Sequence, residues 1–167
     1  MSIKRIRAAA LLALLLALAV MTAATVAGAT PASGVTAETL ARGTHAGPLK
    51  TNIKVGGVHI KFQASGSIDV VTQRITIAPG GTTGWHSHPG PNFNPVAQGV
   101  VTLYHGDDPS CTGEAFPVGS GFFGPGLDVH LVRNEGAVPA VIYSTFIVPA
   151  GADPIRIDEP APGNCPF

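Results

Sequence analysis

The chain has 167 residues, 45% of them hydrophobic and 12% charged, with 10 Lys+Arg against 10 Asp+Glu. That length suits one ordinary domain, and the even charge balance offers no electrostatic footprint for nucleic acid. With 21 Gly and 15 Pro and no strict repeat, a helical bundle is disfavoured.

Residues 1–29 read as a signal peptide. Lys4, Arg5 and Arg7 form a positive start, Ala8 to Val20 is almost wholly Ala, Leu and Val, and Ala27-Gly28-Ala29 is a small-residue cleavage site. The rival reading is a retained membrane anchor, because weak apolarity continues to Ala29 and is roughly long enough to span a bilayer. Cleavage predicts a secreted, periplasmic or cell-envelope protein with no stable membrane partner. It leaves seven basic against ten acidic residues and no basic cluster.

Residues 30–51 are rich in Ala, Thr, Gly and Ser without a sustained period, which predicts a linker with a helical turn near 37–41. Short β-prone runs follow at 52–62, 68–77, 96–104, 114–118, 129–133 and 138–148. Gly56-Gly57, Pro79-Gly80-Gly81, Gly106-Asp107-Asp108-Pro109 and Asn134-Glu135-Gly136 punctuate them as turns. Strands at this spacing predict an all-β domain over 52–150, with sandwich, barrel and jelly roll left open. Residues 151–167 form a Pro-rich tail. The two cysteines of an exported chain are expected to pair, Cys111 with Cys165, and so to pin that tail.

The chemistry-bearing pattern is His86-Ser87-His88. Five residues separate Gly80 from it, three separate it from Asn92, and six separate Asn92 from Gly99. A second segment runs from Gly119 through Pro125 to His130 and Asn134. On a strand, residues two apart share a face roughly 6–7 Å apart, so His86 and His88 can converge on one ion. The two segments resemble the paired motifs of the cupin superfamily, in which three histidines and a glutamate hold a divalent metal inside a small barrel. The resemblance covers about residues 68–148. It implies a single-domain jelly-roll β-barrel, one divalent metal (Fe, Mn, Ni or Zn) on His86, His88 and His130, a small-molecule ligand or substrate, and a possible homodimer.

Two positions depart from that pattern. Asn92 stands where the family has glutamate, and Leu127 where it has glycine before His130. Asp128, two residues before His130, is an alternative source of the missing carboxylate, provided the strand register turns it inward.

The other candidates carry blander readings. His45 belongs to the linker, His59 to a strand surface, and His105 to a strand end beside Asp107-Asp108. Ser87 points away from its histidine neighbours on a strand, so it has no base there. Tyr104 and Tyr143 are candidates for pocket hydrogen bonding, whereas Trp85 and Phe93 read as barrel packing. As an enzyme, the resemblance implies Fe(II)-dependent oxygenation of a small molecule. The alternatives are a non-catalytic secreted binding barrel and a surface interaction module.

Overall fold

A computed structural model describes residues 28–167. Of the expected signal segment, residues 1–29, positions 1–27 lie outside the described residues. The described residues contain no helix. In chain order the strands are β1 (Ser33–His45), β2 (Leu49–Val55), β3 (Val58–Ala64), β4 (Ile68–Thr82), β5 (His86–Ser87) and β6 (Asn92–Gln98). They continue with β7 (Val100–His105), β8 (Glu114–Pro117), β9 (Gly121–Gly124), β10 (His130–Arg133), β11 (Ala140–Pro149) and β12 (Ile157–Asp158).

Ten of these strands form one antiparallel sheet that curls into a nearly closed barrel. One side runs β1, β4, β11, β6 and β9; the other runs β12, β5, β10, β7 and β8. The far end of β4 joins the two sides, where Thr82 pairs with Arg133 of β10. Alternation along the strands fills the interior. Ile77, Val96, Val101, Leu103, Val132 and Ile142 close the packing at one end of the barrel. Val71, Phe146 and Val148 form a second cluster. Burying residues of this kind stabilises a fold by about 1.5–3 kcal/mol each.

β2 and β3 stand apart as an isolated hairpin closed by Gly56-Gly57. The expected run 96–104 divides at Gly99, whose φ of 70° suits a residue without a Cβ and separates β6 from β7.

The segment read as a linker is largely a strand. β1 runs antiparallel along β4 from Ser33↔Thr82 to His45↔Ile68, and no helical turn forms at 37–41. Its side chains are almost all exposed. The strand is held by backbone ladder bonds rather than by an apolar face, so its sequence carries no period of two. Its C-terminal end is also clamped by charge. Arg42 donates from Nε and Nη2 to Asp69 Oδ2 at 2.9 and 2.6 Å, and Thr44 Oγ1 donates to Asp69 Oδ1 at 2.6 Å. The Thr44 hydroxyl, the Gly151 N–H and Arg42 together hold the Asp69 carboxyl down at about 2.

The tail is also structured. β12 pairs with β5 (Ile157↔Ser87, Asp158↔His86), and Ala29 bridges Pro160. Cys111 and Cys165 are disulfide-bonded, with their Cα atoms 5.2 Å apart. The bridge packs against the cluster of Trp85, Tyr104 and Leu131.

Candidate metal centre

His86 lies on β5 and His130 on β10, and the two are direct cross-strand partners. His88 follows His86 by two residues, so the pleat turns it to the same side. All three are buried, at 5%, 5% and 3% exposure. One ring nitrogen from each lies within 4.8 Å of the others, and they form the cluster of potential metal-ligating side chains among the described residues.

Hydrogen bonds orient every ring. His86 Nδ1 donates to Gly84 O at 2.9 Å, His88 Nδ1 to Ile155 O at 2.7 Å, and His130 Nδ1 to Asp128 O at 3.1 Å. A carbonyl can only accept, so each Nδ1 carries a proton and Nε2 is the nitrogen each ring has left to offer an ion. This is the arrangement by which an outer partner fixes the tautomer of a metal-binding histidine.

The protonation states suit the same role. Burial pushes His86 well below its ordinary value, helped by the charges of His130, Arg156 and His88. Burial also takes His88 down to about 4, with His130 and Arg156 lowering it further against the Ile155 hydrogen bond. Both rings are therefore neutral, as ligation requires.

Asn92 opens β6 and is 2% exposed. It lines the cavity that holds the three histidines. Its Nδ2 reaches Asn94 Oδ1 at 3.4 Å, while its Oδ1 is buried without a hydrogen-bond partner. Across the ladder Asn92 faces Gly124, where an added Cβ would collide with that oxygen. Three imidazole nitrogens and an orphaned amide oxygen fit a divalent metal. The run Pro89-Gly90-Pro91-Asn92-Phe93-Asn94-Pro95 thus contains an inward-facing strand start at Asn92, continued by Asn94. Ser144 Oγ donates to Asn94 Oδ1 at 2.6 Å and fixes that neighbour.

Asp128 does not join the cluster. Its Oδ2 lies 3.2 Å from His130 Nδ1, and its Oδ1 accepts from the Gly126 N–H at 3.1 Å. It sits behind the imidazole and orients it. Leu127 holds the turn that its glycine counterpart would hold, at a φ of 60°, and its N–H donates to His88 O at 2.8 Å.

The remaining candidates lie elsewhere. Tyr104 donates to Glu135 Oε1 at 2.7 Å on the outer side of β7, and Tyr143 faces solvent. Phe93, expected to pack the barrel, is instead exposed and stacks on Phe123, because alternation with Asn92 and Asn94 turns it outward. Trp85 is fully buried. Ser87 donates to Glu159 Oε1 at 2.8 Å, away from the histidines. His59 meets Asn52 on the hairpin, His45 is exposed, and His105 lies in register with His130 without lining the cavity.

The cavity around the cluster measures about 220 Å³. Val35, Ile75, Phe122, Ile142, Phe146 and Ile155 give it apolar walls, and Arg156 reaches it from the tail. Sequence reasoning missed the tail and β1 as walls. Thr30 is a further missed support, since its Oγ1 accepts from the Trp85 N–H at 2.7 Å just before the ligand run.

Comparisons with known proteins agree with this architecture. Residues 73–146 match the family model for the cupin domain. No curated protein matches the chain. Among solved structures, the chain is similar to an oxalate oxidase at 25% identity, over 51% of this chain and 50% of that one, with a TM-score of 0.42. The chain thus spans about half the length of that protein. It is also similar to an uncharacterized conserved protein with a double-stranded β-helix domain from Klebsiella pneumoniae, at 18% identity over 64% and 75% of the two chains and a TM-score of 0.43. A third is the Bacillus subtilis oxalate decarboxylase with Mn(II) centres, at 18% identity over 53% and 23% of the chains and a TM-score of 0.45. With its antiparallel barrel strands and its three clustered histidines, the matched segment, residues 73–146, is a cupin domain.

Proposed function

We propose that the protein is an exported cupin that holds one divalent metal on His86, His88 and His130 and presents it to a small molecule in the cavity. The observation that carries the reading is the set of three Nδ1–carbonyl hydrogen bonds, which leaves Nε2 of each ring to a cluster whose ring nitrogens lie within 4.8 Å of one another. Imidazole ligands suit Zn, Cu, Fe and Ni, so the ligand set alone does not choose the metal. When bound, such an ion keeps its full charge, acidifies a bound water and leaves positions open for a substrate or oxygen. The protein's own part is to orient the rings, exclude bulk water with apolar walls and, through burial, keep His86 and His88 unprotonated. The reaction class this donor set suits is Fe(II)-dependent oxygenation of a small molecule.

A second reading, a non-catalytic binding barrel, is favoured by one observation. No Asp or Glu lines the cavity among the described residues, so no carboxylate stands ready as a general base. Export draws support from the n-, h- and c-region pattern of residues 1–29 and from the disulfide, since such bonds persist in oxidising compartments.

The test is elemental analysis of protein purified without added metal or a histidine tag, beside the His86→Ala, His88→Ala double variant. About one metal per chain, lost in the variant, is expected for a three-histidine site. A folded wild type that takes up no ion when each is offered would overturn the reading. Oxygen uptake by the iron-loaded protein in the presence of candidate small molecules separates the oxygenase from the binding barrel.

A further inference from the structure

We infer that the ligand of this cavity is a small organic carboxylate gripped by Arg156, a reading that takes its second anchor from the metal centre proposed above. Arg156 lines the same cavity as His86, His88 and His130. Its neighbours in the tail fix where it stands. Ile155 accepts the His88 Nδ1 hydrogen bond, and Asp158 is the cross-strand partner of His86. The guanidinium is held in place as well, with Nη2 donating to Thr83 O and Nε to Asp158 Oδ1, each at 2.7 Å.

Charge selects the ligand class. The lining includes this arginine and no acidic residue, and Asn92 replaces the glutamate that would have offset part of a metal's charge. A divalent ion on three neutral imidazoles beside a guanidinium makes an electropositive pocket with no negative side chain on its walls. The Asp158 carboxylate that pairs with Arg156 at 2.7 Å is more than half exposed and not in the lining, and an exposed ion pair of this kind is weak enough to leave the guanidinium available to a ligand. A planar guanidinium fork matches a carboxylate in shape as well as charge.

The walls select the remainder of the ligand. Val35, Ile75, Phe122, Ile142 and Phe146 offer no partners to a fully polar anion such as phosphate, but they suit a short hydrocarbon body. The volume of about 220 Å³ keeps that body small.

A plainer role exists for Arg156, as a strut joining the tail to Thr83. A strut would affect stability and metal retention, but it would not sense charge on a ligand. The test therefore compares two probes of nearly equal shape, butyrate and butyramide, binding to Mn(II)-loaded protein by calorimetry and by the electron paramagnetic resonance of the ion. Butyrate is expected to bind about 10–100-fold more tightly than butyramide, the range of a charge-assisted hydrogen-bonded pair. Arg156→Gln should remove most of that preference, Arg156→Lys should restore part of it, and butyramide binding should change much less than butyrate binding. Equal binding of the two probes to the wild type, or an undiminished preference in Arg156→Gln, would overturn the inference.

Metal content is measured on the same samples. Full loading without carboxylate preference defeats this inference and leaves the metal centre standing. If no metal loads, the metal centre fails. Arg156-dependent butyrate preference in the metal-free protein would then still support the carboxylate site, and its absence would end it.

Discussion

His88 donates from Nδ1 to the main-chain carbonyl of Ile155 at 2.7 Å, across 67 residues of chain. A residue of the tail thus orients a residue of the first histidine motif, and the same tail supplies Arg156 to the cavity. The tail is held by the β12–β5 pairing, by Asn164 Nδ2 donating to the carbonyls of His105 and Asp108, and by the Cys111–Cys165 disulfide. Mechanical integrity of the tail and metal affinity should therefore be coupled.

Removing the disulfide tests that coupling. The bridge closes a separation of 54 residues, for which chain entropy alone gives about 4 kcal/mol of stabilisation. The Cys111→Ser, Cys165→Ser variant should melt well below the wild type. Under conditions where it remains folded, metal affinity should fall by about 10–100-fold, the usual cost of losing an outer partner of a ligating histidine. A variant that melts lower but binds metal as tightly as the wild type would show the tail to be a stabiliser only.

Much of the site was legible because its signals are local. The His-x-His spacing, the third histidine and the two cysteines are readable without knowing what packs against what. The contribution of the tail was not. Ile155 acts through a main-chain carbonyl, which any residue supplies, and Arg156 stands two residues after Pro154 with no motif around it. β1 was illegible for a related reason, since an exposed edge strand of Ala, Thr and Gly carries its information in backbone pairing. Register decided the remaining cases. It turned Asn92 inward, turned Phe93 outward and placed Asp128 behind His130.

Acid should destabilise the metal-free protein in a defined window. Burial depresses His88 to about 4 in the folded chain and moves His86 in the same direction. The unfolded chain therefore binds these protons first. Stability is complete above the unfolded value of 6.5 and is lost as pH falls toward about 4, on the order of 3 kcal/mol for His88 alone. Melting curves of metal-free protein from pH 7 to pH 4 should fall steeply. Metal-loaded protein should melt higher and hold its melting temperature to lower pH, because the ion must be displaced first. Identical pH profiles with and without metal would remove the three histidines from the binding reaction.

Leu127 offers a gain rather than a loss. It occupies a left-handed backbone conformation, φ 60°, with its side chain 74% exposed. A non-glycine residue there costs about 1–2 kcal/mol, part of which glycine returns through its greater unfolded-state entropy. Leu127→Gly should therefore raise stability by roughly 0.5–1 kcal/mol while keeping the N–H bond to His88 O. Chemical denaturation measures it. A destabilised variant would mean that the exposed leucine makes contacts its burial does not reveal.

Asn92 is the position at which the metal centre and the ligand preference meet. Its Oδ1 is buried in the cavity wall without a hydrogen-bond partner, and Gly124 opposite leaves it room. Asn92→Asp keeps the shape and adds one negative charge. If the amide oxygen faces the ion, the carboxylate should bind it more tightly, by about tenfold or more for a gain of ~1.4 kcal/mol. The same charge should repel an incoming carboxylate and narrow the butyrate preference that Arg156 creates. Metal competition titration and the butyrate–butyramide pair read these two effects separately. A rise in metal affinity together with a fall in carboxylate preference places Asn92 at both. An unchanged metal affinity in a folded Asn92→Asp variant would exclude position 92 from the coordination shell and leave the three imidazoles as the whole protein contribution.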